Sequence, residues 1–150
     1  AEEKLGLTLS VSLHAPNNNI RNASMPINKK YDIDELLKAC RDYTEGTSRR
    51  ISFEYTLISG KNDSKPQAIQ LANLLNSRLR TKTDTMPIHV NLIPVNNVVE
   101  RGFLPSEKSG IEAFAKTLEK RRIVATVRRT LGGDIDASCG QLRRKYNQNR

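Results

Sequence analysis

Tryptophan is absent from this 150-residue chain, and only three phenylalanines, four tyrosines, two methionines and two cysteines occur in it. Cys40 and Cys139 are too few for a disulfide framework, and they form no CxxC pair of the kind thiol redox proteins use. With only two histidines beside them there is no ligand set at zinc spacing, so no metal site is expected within the chain. No apolar run approaches the ~20 residues of a membrane span, and the start, AEEKLGLTLSV, lacks the basic and apolar regions of a signal peptide. These absences predict a cytoplasmic protein with no membrane partner. They do not predict disorder, because a hydrophobic content of 37% is well above that of an unfolded polar chain. A chain of this length buries roughly 68–70% of its unfolded surface, enough for one globular unit.

Positive charge is what the sequence has in excess. Lys and Arg number 25 against 16 Asp and Glu, a net charge of +9, which favours a polyanionic partner through phosphate neutralisation and counterion release. Nucleic acid leads that class. Arg121, Arg122, Arg128 and Arg129 lie near a second basic run, Arg143-Arg144-Lys145, and Cys139 falls between the two.

Hydrophobic spacing predicts strands and helices in alternation. LGLTLSVSL places Leu5, Leu7, Leu9, Val11 and Leu13 on one face of a strand. A polar loop follows, and then a helix opened by Asp32 and Glu35 in the capping-box manner, with Leu36, Leu37, Cys40 and Tyr43 at helical spacing up to Gly46. Ile51, Phe53, Tyr55 and Leu57 alternate as a second strand, and a helix from about Lys65 to Arg80 carries Ile69, Ala72 and Leu75. Ile88–Pro94 is a third strand, the segment from Ser106 a third helix with Ile111, Phe114, Ala115 and Leu118 on one side, and Ile123–Arg129 a fourth strand. Crossovers of helical length imply parallel strands and an α/β class. Periodicity alone leaves open whether four such units form an open sheet or half of a barrel.

In parallel α/β folds the residues that follow each strand line the functional edge. Here they are Ser12, His14, Ala15 and Pro16, then Gly60, Asn62 and Asp63, then Asn96 and Asn97, then Thr130, Gly132, Gly133 and Cys139. The set is polar and mostly uncharged, suited to a neutral or zwitterionic ligand with a nucleoside part. Cys40 lies on an apolar helical stripe and is assigned to the core, and His89, inside the third strand, to a structural role.

Four separated motifs, SLHAP at 12–16, MPINKKY at 25–31, NLIPVN at 91–96 and TVRRTLGGDIDASCGQL at 126–142, make the chain resemble the adenine C2 methyltransferases of ribosomal RNA. These belong to the radical S-adenosylmethionine (SAM) superfamily. The resemblance covers nearly the whole chain in order and spacing. It implies half of a partial, TIM-like (β/α) barrel over residues 1–142, with a basic tail at 143–150. It also implies methyl transfer to adenine C2 in ribosomal RNA, with SAM and a 4Fe-4S cluster as cofactors.

Adenine C2 is not nucleophilic and cannot attack a sulfonium methyl directly, so a radical route is needed. In the family, the cysteine matching Cys139 first accepts a methyl group as a thiolate nucleophile would. An adenosyl radical then activates that methyl group for addition to the base. By the same resemblance Ser12, Leu13 and His14 contact SAM, and Asn96 contacts its polar end. The segment around Asn96 departs from many relatives at Val95 and Asn97.

The chain lacks the family's cluster-binding CxxxCxxC triplet, its resolving cysteine and its amino-terminal RNA-binding region. It is therefore expected to be the carboxy-terminal half of a longer enzyme, inactive alone, with cluster ligands outside this chain. An exposed sheet edge invites self-association. Methylation at adenine C8 rather than C2, transfer RNA as a further substrate, and a non-catalytic RNA-binding role stay open at this point.

Overall fold

The computed structural model describes residues 8–80, 88–95 and 103–128. Four strands, β1 (Leu9–Ser12), β2 (Ile51–Leu57), β3 (Ile88–Pro94) and β4 (Ile123–Val127), pair in parallel in the order β1-β2-β3-β4. Between them lie α1 (Asn18–Ser24), a 3₁₀ turn (Pro26–Lys29), α2 (Ile33–Thr47), α3 (Lys65–Leu79) and α4 (Lys108–Glu119). Spatial order equals chain order, with no reversal. A doubly wound sheet reverses its strand order and carries helices on both faces, whereas the wall of a barrel does neither.

The core shows the same one-sidedness. Phe53, Tyr55, Leu57, Val90, Leu92 and Ile123 from the strands join Leu37, Leu71, Leu75, Phe114 and Leu118 from α2, α3 and α4 in one buried cluster. The Tyr55 and Phe114 rings meet with centroids 5.3 Å apart. All three long helices thus cover one face of the sheet, and the other is left to polar side chains.

Local sequence explains the helix starts. Asp32 accepts from the backbone of Glu35 while the Glu35 side chain accepts from the Asp32 N–H, the expected reciprocal cap. Ser64 and Gln67 repeat this arrangement at α3, where Pro66 sits in the first turn and has no N–H to satisfy. The buried stripe of α3 runs through Ala68, Leu71, Ala72, Leu75 and Leu79, with Ile69 beside it half-buried.

The loop expected after β1 instead folds into α1 and the 3₁₀ turn, which the polar run NNNIRNAS gave no apolar period to reveal. Strand β1 is four residues long, and Leu5 and Leu7 fall outside the described residues, as do Arg129 and the tail at 143–150. No described helix is long and apolar enough to cross a membrane.

Candidate functional site

Strand alternation builds the uncovered face. Register pairs Ser10 with Ser52 and Ser12 with Glu54 between β1 and β2; Ser52 with His89 and Glu54 with Asn91 between β2 and β3; and Asn91 with Thr126 between β3 and β4. Each of these residues alternates with a core residue, so their side chains share one face. The result is a row of hydroxyls, amides and one carboxylate crossing the sheet just below its carboxyl edge.

Above that row His14 closes β1 in a left-handed conformation, φ +57°. A non-glycine residue there costs roughly 1–2 kcal/mol and persists where the surroundings over-determine it. They do so here. The His14 N–H donates to the Glu54 carbonyl at 3.2 Å, its carbonyl accepts from Asn62 Nδ2 at 2.9 Å, and its Nδ1 accepts from the Thr56 N–H at 3.0 Å. A nitrogen that accepts from a backbone amide carries no proton, so the ring proton resides on Nε2. Burial holds the His14 pKa below its ordinary value, and the nearby Arg21 guanidinium adds to that, against an opposing pull from Glu54. His14 is a neutral imidazole with Nε2–H as its remaining donor.

Arg21, on α1, is buried, with 4% of its surface exposed. Its Nε donates to the Leu13 carbonyl at 3.1 Å, its Nη2 to the Ser12 carbonyl at 3.2 Å and its Nη1 to Asn28 Oδ1 at 2.6 Å. Asn28, also buried, in turn donates to Asn18 and Asn22. One guanidinium therefore fixes both carbonyls at the end of β1 and ties them to the turn that carries Lys29 and Lys30. Asn62 does the same from the other side, donating to the carbonyls of His14 and Thr56 and accepting from the Ile58 N–H.

Below the edge a relay of side chains crosses three strands. Ser52 Oγ lies 2.8 Å from His89 Nδ1, His89 Nε2 lies 3.1 Å from Thr126 Oγ1, Thr126 donates to Asn91 Oδ1 at 3.3 Å, and Asn91 Nδ2 donates to Glu54 Oε2 at 2.7 Å. Burial, then Arg50, lowers the His89 pKa against the pull of Glu54, so this ring too is neutral.

Of the residues that the sequence pointed to, Ser12 is exposed and His14 half-buried at the edge. Leu13 is wholly buried in the core, and its N–H and carbonyl are engaged by Glu54 and Arg21. Asn96 and Cys139 lie outside the described residues. Cys40 is in the core as expected, its thiol pushed up to about 11 by burial. Asn62 is a buried structural hub rather than a presented ligand group. Arg21, Glu54, Asn91 and Thr126 were not singled out by sequence. For Glu54, the alternation of Phe53, Tyr55 and Leu57 already placed it on the opposite face, whereas Asn91 and Thr126 lie in segments read as short strands with no face assigned. Arg21 left no such signal.

The chain is 54% identical over 146 residues to a probable dual-specificity RNA methyltransferase RlmN of Caldanaerobacter subterraneus subsp. tengcongensis, and 52% identical over 145 residues to the protein of the same description from Pelotomaculum thermopropionicum. Each match covers 97% of this chain. A crystal structure of a radical SAM methyltransferase from Sphaerobacter thermophilus superposes with a TM-score of 0.81 and 44% identity over 91% of the chain. The chain is thus similar, over nearly its whole length, to RlmN-type RNA methyltransferases and to a radical SAM methyltransferase. It spans 40% and 38% of the length of those two relatives and 38% of the solved chain. No family model matches it.

This similarity to a radical SAM methyltransferase implies SAM and an iron-sulfur cluster, and the described residues fit the two unequally. A neutral Nε2–H donor at His14, the Ser12 hydroxyl and the polar row beneath them suit the uncharged and zwitterionic parts of SAM. For a cluster the donors are wrong: Cys40, the one described thiol, is buried and protonated, and no group of three metal-ligating side chains occurs among the described residues.

Proposed function

We propose that this chain forms the carboxy-terminal part of a partial barrel in a cytoplasmic enzyme that methylates C2 of an adenine in ribosomal RNA, with transfer RNA as a second substrate. The single observation that carries the reading is the constrained Ser12-Leu13-His14 turn, whose motif matches the family's SAM-binding segment. Its geometry leaves one imidazole donor at a rigid strand end. The relatives' description as dual-specificity RNA methyltransferases supports the two RNA classes.

SAM, when bound, supplies the methyl group and the radical chemistry that an sp² carbon requires. In this reading Ser12 and His14 hold it, Asn96 binds its polar end, and Leu13 anchors the turn in the core. Cys139 is the thiol that carries the methyl group between donor and base. Lys29, Lys30 and Arg128, exposed near the carboxyl edge, bind RNA phosphates. The cluster and its ligands belong to the remainder of the enzyme. The outer strands β1 and β4 offer edges for the other strands of the barrel or for a second copy of the chain.

The test is chemical. The chain, joined to the remainder of the enzyme at the length of its relatives and given SAM and a reductant, is incubated with unmodified ribosomal RNA, which is then digested to nucleosides for mass spectrometry. The reading requires 2-methyladenosine. If 8-methyladenosine appeared instead, the regiochemistry would be overturned, and salt-sensitive RNA binding without any methylated product would leave only a binding module.

A further inference from the structure

Glu54 supplies the one carboxylate in the row of side chains that crosses the open face of the sheet. The donors of that row all run toward it. His89 Nε2 lies 3.1 Å from the Thr126 hydroxyl, which donates to Asn91, whose amide donates to Glu54 Oε2. Ser52 Oγ lies 2.8 Å from His89 Nδ1 and donates to Glu54 Oε1 at 3.3 Å.

An ionised carboxylate can accept about four hydrogen bonds, and this one accepts two from described residues, one on each oxygen. Its ion pairing does not make up the difference, because the ion pairs among the described residues are Lys38–Asp42 and Arg78–Asp34. The backbone of Glu54 meanwhile accepts from the N–H groups of Leu13 and His14, so the residue is locked to the very turn that carries the Ser12 and His14 side chains. In register Glu54 stands beside Ser12.

We propose that Glu54 is a further ligand-binding residue, and that its free acceptor positions receive the vicinal hydroxyls of a ribose. The inference rests on the reading of the Ser12–His14 turn as the SAM site and extends it to a second strand. A carboxylate accepts and never donates, and the pair of hydroxyls on a ribose presents two adjacent donors to its two oxygens. Acidic side chains at strand ends recognise ribose in this way in other nucleotide sites. A diol also needs no countercharge, which suits a face whose remaining groups are neutral.

The experiment measures equilibrium binding of three probes to the enzyme at the length of its relatives: S-adenosylhomocysteine, 5′-methylthioadenosine, and the 2′,3′-dideoxy form of the latter. Glu54→Gln keeps an oxygen for Asn91 but places a donor where the diol would donate. The unaltered enzyme should bind methylthioadenosine roughly ten- to a hundredfold more tightly than its dideoxy form. Glu54→Gln should abolish most of that difference by weakening only the diol-bearing probe.

Equal binding of the two nucleosides by the unaltered enzyme overturns the assignment, and this arm does not depend on the variant's folding. It is equally overturned if the variant weakens both nucleosides alike, or weakens S-adenosylhomocysteine alone, which would move Glu54 to the ammonium group. An unaltered enzyme that binds none of the three probes contradicts the underlying SAM-site reading instead.

Discussion

The side-chain amide of Asn62 donates to the carbonyl of His14 at 2.9 Å, across 48 positions of sequence, and through this bond the loop after β2 holds the strained end of β1 in place. The same amide donates to Thr56 at 2.7 Å, and its oxygen accepts from Ile58. Replacing Asn62 with Ala leaves two carbonyls and one N–H without partners in a site where Asn62 is only 2% exposed. A loss of about 2–4 kcal/mol is expected, read from the urea midpoint at unchanged slope. A loss under about 0.5 kcal/mol would show that the loops hold His14 without this hub.

Cys40 provides a pH test with a definite sign. Its thiol is raised from 9.0 to about 11 in the native state, so between those values the unfolded chain gives up its proton first. The native state then binds more protons, and stability falls as pH rises from 9 toward 11. Two units correspond to roughly 2–3 kcal/mol, present in full below pH 9. Comparing wild type with Cys40→Val at pH 8 and pH 10.5 isolates this contribution from lysine and tyrosine titration. The valine variant should gain on wild type at the higher pH, and parallel curves would refute the burial of the thiol.

For His14 the sign is reversed. Its pKa lies below the ordinary 6.5, so as pH falls through that value the unfolded chain takes up a proton that the native imidazole resists, and stability declines. Nitrogen-15 NMR of the ring should find Nδ1 unprotonated and Nε2 protonated at pH 7, with titration below 6.5. Protonated Nδ1 at neutral pH would contradict the bond from Thr56.

Arg21 predicts a difference between two substitutions. Met in its place fits the cavity but abandons the carbonyls of Ser12 and Leu13 and the amide oxygen of Asn28, at a cost of about 3 kcal/mol or more. Lys retains the charge but not the planar fork, and should recover only part of the loss. Chemical denaturation of both variants, with S-adenosylhomocysteine binding on each at the length of the relatives, checks this. Equal stability of the three proteins would refute the claim that the guanidinium fixes the turn.

Much of this architecture was legible before the structure. Two-residue alternation in Ile51–Leu57, the short apolar run Ile88–Pro94 and the Asp32–Glu35 cap are local signals, and local signals survive translation into tertiary structure. The choice between open sheet and barrel wall was not legible from periodicity, because it depends on which face the helices take, and that is settled by packing across distant segments. α1 was missed for a related reason: Asn18–Ser24 buries Arg21, a residue whose long polar head looks exposed in any sequence. The Ser12–His14 turn was found through its motif. The relay from Ser52 to Glu54 was not, because no single strand contains it, and only the register of β2, β3 and β4 brings its members together.

The measurement closest to the centre of the account is the mass of the tryptic peptide bearing Cys139, taken from the enzyme at the length of its relatives and quenched during turnover with SAM. A methylated fraction of that peptide, together with complete loss of 2-methyladenosine in Cys139→Ser, is the predicted result. An unmodified peptide throughout turnover, with a serine variant as active as wild type, would contradict it.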